Sequence, residues 1–445
     1  MSLLLRVLTK DLPSVFRRPP GEGLQRRAPP PHGTTSEDGS NVSPPSRSGP
    51  SGSGLKAVIL NWNGGENDPF TVVNATIGQH FRACGKNVEV IEISGSDWGR
   101  RLTEIGPEGI EFAYTWQGLG SHVTVGEGGE SLWDHYRIPL ICIHGDHPSH
   151  RPLNHELESR YCFHLYANAE SARYSNRHFR RARGASVIDI PQLFREPRLE
   201  RRAGDYFVVA KNIEDPPLTE KLWQQTLDKP IFDAYMMAAE TLKSRIASES
   251  YVEIHDALDE LIAQHGLEWL SPATNIAGHH QYHRVLDLYL RSHKTVAAVT
   301  ALREFPVHVY GRGWDRIAQG AAASHTFLPG RNMVDSQDLF YSRFGLVDVS
   351  PSKGLHDRTR RAMANGGAFL SSANLEDSFA DVERFNSLFF SFRTHELAEK
   401  CAAVMHDPEG HLEIAQQFAH TYHNRFHFKD FVNRIDHLAK LASRW

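Results

Sequence analysis

Short apolar runs alternate with stretches of helical spacing through the first half of the chain. Residues 56–60, Lys-Ala-Val-Ile-Leu, read as a strand. Phe70, Val73, Ile77 and Phe81 then recur near helical spacing, Gly85 closes that helix, and residues 88–93 read as a second strand. Apolar runs at 109–114, 138–143, 161–166 and 186–190 continue the series, with a helix around Leu132 and a strongly basic helix or loop face at 173–183 between them. Strand following helix across 55–190 predicts a doubly wound parallel sheet.

A charged, irregular stretch at 195–204 reads as a linker. Beyond it, residues 206–210 start a second series. Helical patterns fill 219–269 and about 281–302, strands are expected at 307–310, 326–328 and 346–349, and the rest beyond Phe392 reads as helix to Trp445. Before both series, residues 13–54 are rich in Pro, Ser, Gly and Arg and cannot bury a core, so they are expected to be disordered. The pattern therefore divides the chain into a tail (1–54), a first α/β domain (55–203), a second (204–430) and a terminal helix (431–445). The terminal helix is expected to cross back to the first domain.

Composition narrows the function. Charged residues are 23% of the 445 and the formal net charge is −4, so no strong field draws the chain to nucleic acid or an anionic membrane. No apolar run is long enough to span a bilayer, and residues 1–8 are too short for a secretory core. Four cysteines, Cys84, Cys142, Cys162 and Cys401, stand far apart with no CxxC pair, which fits a reduced, cytoplasmic setting. Of the 26 histidines only the clustered ones suggest chemistry.

Three loops stand where such a fold binds ligands, at the carboxyl ends of strands. Asn63-Gly64-Gly65 follows the first strand and would let backbone approach a diphosphate. Gly311-Arg312-Gly313-Trp314 follows the strand at 307–310; Arg312 is a phosphate ligand or a surface charge, and Trp314 stacks on a base or closes a core. The third loop, at 350–354 and including Lys353, joins the strand at 346–349 to a helix that starts near His356 and ends at Gly366-Gly367. That helix start carries Asp357, Arg358, Arg360 and Arg361 and suits an anion. His356 and Asp357 are each read as a ligand contact or a helix cap. In the first half, His144-Gly145-Asp146-His147 leaves the strand at 138–143 and offers groups able to take a proton.

His356-Asp357-Arg358 followed by Arg361-Ala362-Met363-Ala364-Asn365-Gly366-Gly367 resembles the nucleotide-sugar site of GT-B glycosyltransferases, in particular the group-1-like branch that includes spore-coat maturation proteins. The likeness covers 282–431 in the order of its elements and 55–200 in architecture only. It implies two Rossmann-like domains facing a central cleft, with extra helices, that move a sugar from a nucleotide-sugar donor to a glycan, protein or small-molecule acceptor without a metal or other cofactor. By that likeness Asn63, Gly64, Gly65, Gly311, Arg312, Trp314, Lys353, His356, Asp357, Arg358 and Arg361 bind the donor. Asp146, then His147, then His144 are the candidate bases. The chain departs from the family at Arg361, where many members place a glutamate that holds the ribose. That departure keeps open a non-catalytic nucleotide-binding module. A further alternative is a zinc hydrolase, because Cys142-x-His144-x-Asp146-His147 resembles the HxHxDH cluster of metallo-β-lactamase-like enzymes with its first histidine changed.

Overall fold

The computed structural model describes residues 54–442 except 63–67, 95–97, 126–128, 181, 192–203, 331–336, 351–353, 374–381 and 394. The tail expected at 1–54 (but for Gly54), the linker at 195–204 (but for Gly204), the Asn63-Gly64-Gly65 turn and Lys353 fall outside these residues.

The first sheet has strands β1 (Lys56–Asn61), β2 (Asn87–Glu92), β3 (Ile110–Trp116), β4 (Leu140–His144), β5 (Cys162–Tyr166) and β6 (Ser186–Val187) in the order β2-β1-β3-β4-β5-β6, all parallel. β4 and β5 are buried at every position, as their unbroken apolar runs require of strands covered on both faces. Helix α1 (Pro69–Ala83) shows how one crossover forms. Asp68 accepts the N–H groups of Phe70 and Thr71 at 3.0 and 3.3 Å, and Val73, Ile77 and Phe81 pack on Ala57, Ile59, Phe112 and Tyr114. Helices α2 (Trp98–Ile105) and α3 (Ala169–His178) belong to the same lobe. The run at 186–190 pairs only at Ser186 and Val187; Ile188 and Ile190 are buried in the core without extending the strand.

The second sheet is β7 (Phe207–Ala210), β8 (Val307–Tyr310), β9 (His325–Leu328), β10 (Gly345–Asp348) and β11 (Phe369–Ser371), again all parallel, in the order β9-β8-β7-β10-β11. The order reverses between β7 and β10, so the crevice beyond the carboxyl ends of those two strands is the expected ligand position. Between β7 and β8 the chain inserts α4 (Pro216–Thr226), α5 (Lys229–Ser248), α6 (Ile254–Gln264) and α7 (Pro272–Ala301). The last of these starts well before the expected 281. Asn275 breaks it (φ −153°, ψ 79°) and restarts it by accepting the Gly278 N–H at 2.9 Å.

Helices α8 (Asp357–Ala364), α9 (Glu396–His406) and α10 (Pro408–Arg425) complete the second lobe. The final helix, α11 (Phe428–Ala442), returns to the first: Phe431, Val432, Ile435, Ala439 and Ala442 pack into the core of Ala57, Ile59 and Phe81, and Lys86 pairs with Asp436. Two Rossmann-like sheets joined this way form the GT-B architecture. No helix among the described residues is long and apolar enough to cross a membrane.

Candidate active site

A cavity of about 460 Å³ lies between the carboxyl ends of the two sheets. Trp116 at the end of β3 and Gln117 after it, Asp146 and His147 after β4, and Ala167 and Asn168 after β5 form one wall. Ser350, Gly354, Leu355, His356, Asp357, Arg358 and Arg360 form the other, and Asp287 and Arg291 of α7 close the side.

The second-lobe wall is built to hold an anion. β10 ends at Asp348, which is buried; its Oδ1 accepts from Arg358 Nε at 2.9 Å and its Oδ2 from the Thr359 hydroxyl at 2.7 Å. Burial alone would raise the Asp348 pKa, but the adjacent Arg358 and His356 outweigh it and hold the carboxylate ionised. Burial works against the Arg358 charge too, and Asp348 and Asp357 more than offset it. Three guanidiniums of the lining keep a buried nitrogen without a hydrogen-bond partner: Arg291 Nε, Arg358 Nη2 and Arg360 Nε. Such donors are costly unless a charged acceptor meets them.

Two lysines back the same loop. Lys211 Nζ donates to Val349 O at 3.2 Å and Lys294 Nζ to Ser350 O at 3.0 Å. Burial, then Arg358 and Arg291, lowers Lys211 well below its usual range, and burial takes Lys294 down to about 8 against the pull of Asp287. Lysines that lose their proton this readily report a strongly positive, water-poor surrounding.

On the first-lobe wall, Asp146 is half-buried and its N–H donates to Gln117 Oε1 at 3.4 Å. His147 is buried. Its Nδ1 accepts the Ser149 N–H at 3.3 Å, and its ring stacks on His255 at 3.2 Å between centroids. Burial and His255 hold its pKa well below the usual value. The neutral ring in that tautomer carries its proton on Nε2, so it presents a donor rather than a base. Glu170, near the start of α3, lines the cavity as well. It is 4% exposed, accepts the His255 N–H at 3.1 Å, and burial, with help from Glu253 and Asp287, pushes its carboxyl up to about 8. Sequence reasoning missed Glu170. Asn168 caps α3 by accepting the Ser171 N–H at 2.8 Å, so an Asn-x-Glu start to a helix directly after a buried strand was the available signal. Arg291 and Asp287 were missed for a different reason, since they come from the middle of a long helix.

The structure thus brings Asp146, His147, His356, Asp357 and Arg358 to one cavity. His356 is the cap of α8, with Nδ1 accepting the Arg358 N–H at 3.4 Å, and Asp357 is the first helical residue rather than the cap. Other candidates sit elsewhere. His144 Nε2 lies 3.0 Å from His164 Nδ1, and its ring stacks on Tyr166 in the buried sheet. Arg361 lies over the Phe340 ring at 5.1 Å and is 7% exposed. Trp314 closes a core beside Ile213 and Phe327, donating from Nε1 to Lys211 O at 2.9 Å. Arg312 is exposed. Gly311 and Gly313 do permit a close backbone approach, but to residues 211–213: a Cβ on either would stand 2.1 Å from Lys211 O or 2.0 Å from Ile213 O.

The CxHxDH segment does not converge as a hydrolase cluster. Cys142 and His144 group with His164, whereas Asp146 and His147 line the cavity, and no potential metal group among the described residues contains either of the latter. Strand alternation explains this in part: Cys142 and His144 share one face of β4, and the chain has left the strand by Asp146.

Residues 291–437 match the model of a family described as glycosyl transferase-like. No curated protein matches the chain. Similar solved structures are of T4 phage beta-glucosyltransferase. One, concerning substrate binding and a proposed catalytic mechanism, has a TM-score of 0.47 and 8% identity, covering 86% of this chain and 99% of that one. A complex with UDP-glucose has a TM-score of 0.48 and 6% identity over the same shares. A complex with UDP and Mn2+ has 0.47 and 7%, also over those shares. Likeness at these scores adds nothing to the residues' own geometry. The matched segment runs from Arg291 of α7 through the cationic turn of α8 to His437 of α11. Within this GT-B architecture, residues 291–437 are thus similar to a glycosyl transferase-like family.

Proposed function

We propose that the chain moves a hexose or related sugar from a nucleotide-sugar donor to an acceptor, and that this transfer needs no metal. The supporting observation is one cavity with unused guanidinium donors of Arg358 and Arg360 on one wall, Arg291 at the side, and carboxyl groups Asp146 and Glu170 on the other wall. A departing nucleoside diphosphate gains negative charge, and fixed cations beside a helix start stabilise it. Arg358 is the principal diphosphate ligand, and His356, Asp357 and Lys353 complete the loop around the donor. The Asn63-Gly64-Gly65 turn would approach the same donor from the first lobe. Asp146 takes the acceptor proton, and His147 donates from Nε2 to a sugar or acceptor oxygen. Gly311, Arg312, Trp314 and Arg361 shape the lobe rather than touch the donor, and His144 packs behind the wall. Domain boundaries at 54, 203 and 430 follow from this division of labour. Four free cysteines, three of them buried, fit a cytoplasmic setting.

The test is a thermal-shift screen against nucleoside diphosphates and their sugars, followed by donor hydrolysis in the presence of a chelator. A ligand that raises the unfolding temperature and a sugar release that Arg358→Ala abolishes support the proposal. Binding without release, with every acceptor class tried, would instead favour a non-catalytic donor-binding module.

A further inference from the structure

Four side chains absent from the cavity lining meet where α3 of the first lobe packs against α6 and α7 of the inserted helices. His178 is the last residue of α3, Asp259 lies on α6, and His279 and His283 stand one turn apart on α7. Three imidazole nitrogens surround one carboxylate. His178 Nε2 is 3.1 Å from Asp259 Oδ2, His279 Nε2 is 3.5 Å from Oδ1, and His283 Nε2 is 3.2 Å from Oδ1. His279 and His283 are fully buried and the His178 side chain is 4% exposed.

Hydrogen bonding alone does not explain the arrangement. His279 Nδ1 donates to the Leu270 carbonyl at 3.0 Å, and a carbonyl can only accept. The neutral ring is therefore bare at Nε2. A bare nitrogen lone pair then faces a carboxylate oxygen, two acceptors with nothing to share. His279 Nε2 indeed has no hydrogen-bond partner among the described residues. A cation between them resolves the conflict. An imidazole held through its other nitrogen by a backbone carbonyl is also how proteins orient a metal-binding histidine.

We infer that His178, Asp259 and His279 bind one divalent transition-metal ion of the zinc class, with His283 beside the carboxylate. Zinc bonds of about 2.0–2.1 Å to imidazole and carboxylate place tetrahedral ligands roughly 3.3 Å apart, and His279 Nε2 stands 3.5 Å from Oδ1. His178, Asp259 and His279 each offer one atom within 4.8 Å of the others. Two imidazoles with one carboxylate select such a metal over magnesium or calcium, which prefer oxygen. Arg177 holds Oδ2 at 2.5 Å, which leaves Oδ1 as the carboxylate ligand. Three protein ligands hold the ion where three helices meet and leave its fourth position to water. The ion ties α3 to the insertion. It also touches the cavity indirectly, because His283 Nδ1 lies 3.1 Å from His255 Nδ1 and His255 stacks on His147. The site is independent of the proposed sugar transfer.

The experiment loads the full chain with Zn2+ or Co2+, removes unbound metal, and measures bound metal and the visible spectrum. One equivalent of zinc per chain, a raised unfolding temperature reversed by a chelator, and a tetrahedral cobalt spectrum lacking a thiolate-to-cobalt band are expected. H279Q/H283Q should lose the metal and C142S should keep it. Metal below about a tenth of an equivalent overturns the assignment. So does retention in H279Q/H283Q, or a thiolate band, which would move the metal to Cys142, His144 and His164. Should the double variant fail to fold, the wild-type stoichiometry and cobalt spectrum decide alone.

Discussion

Arg358 Nε donates to Asp348 Oδ1 at 2.9 Å, joining the first turn of α8 to the end of β10. The bond holds the guanidinium while Nη2 stays without a protein partner. Asp348 thus positions the guanidinium proposed to meet a diphosphate, and two variants separate holding from binding. Arg358→Ala removes both and strands a buried carboxylate, at a cost of about 3–5 kcal/mol. Arg358→Lys restores a charge without the fork. Donor affinity is expected to fall at least tenfold in Arg358→Lys, with a smaller loss of unfolding temperature than in Arg358→Ala. Calorimetric titration with the nucleoside diphosphate found by screening measures it. Equal affinity in wild type and Arg358→Lys would remove Arg358 from the donor site.

Asp146 is half-buried and, among the described residues, is bonded through its backbone N–H to Gln117 Oε1. Asp146→Asn should therefore leave the unfolding temperature within a degree or two. If Asp146 takes the acceptor proton, kcat falls by about 10²–10⁴ while donor affinity stays put. Single-turnover assays with an identified acceptor separate these effects. An unchanged kcat would hand the role to Glu170.

Much of this arrangement was legible in the sequence because it follows from local periodicity. Unbroken apolar runs gave β1, β4, β5, β7 and β10, and a strand–loop–helix with arginines at its start gave one wall of the cavity. Positions set by long-range packing were harder to read. Glu170 looks like any helical surface glutamate until His255, 85 residues away, delivers its N–H. Arg361 reads as part of the cationic turn, yet its place in the helix turns it onto Phe340. Trp314 and its flanking glycines look like a nucleotide loop, but the backbone at 211–213 occupies the space they leave.

Gly313 offers a direct check on that last point. It sits at φ +89°, and a Cβ there would stand 2.0 Å from Ile213 O, a backbone atom with little room to move. Gly313→Ala combines backbone strain with a clash and is expected to cost about 2–4 kcal/mol. Chemical denaturation should show a lower midpoint with an unchanged slope. Donor affinity measured under conditions where the variant stays folded should match wild type. A tenfold loss of affinity without loss of stability would return this loop to the donor site.

Glu170 makes stability depend on pH in a definite direction. Its carboxyl titrates near 8 in the folded chain, against an ordinary 4.5, because burial opposes the charge and Glu253 and Asp287 add to that opposition. The folded state therefore holds a proton that the unfolded state has released between those values. The stabilisation is complete below about pH 4.5 and is lost as pH rises through 8, with a slope of at most about 1.4 kcal/mol per pH unit. Glu170→Gln mimics the protonated acid, keeps an acceptor for the His255 N–H, and cannot ionise. Thermal unfolding from pH 6 to 9 should show wild type losing stability faster than Glu170→Gln, with the variant the more stable at pH 9. Parallel profiles would mean that Glu170 is already ionised in the folded protein, and a group ionised there could serve as a base beside Asp146.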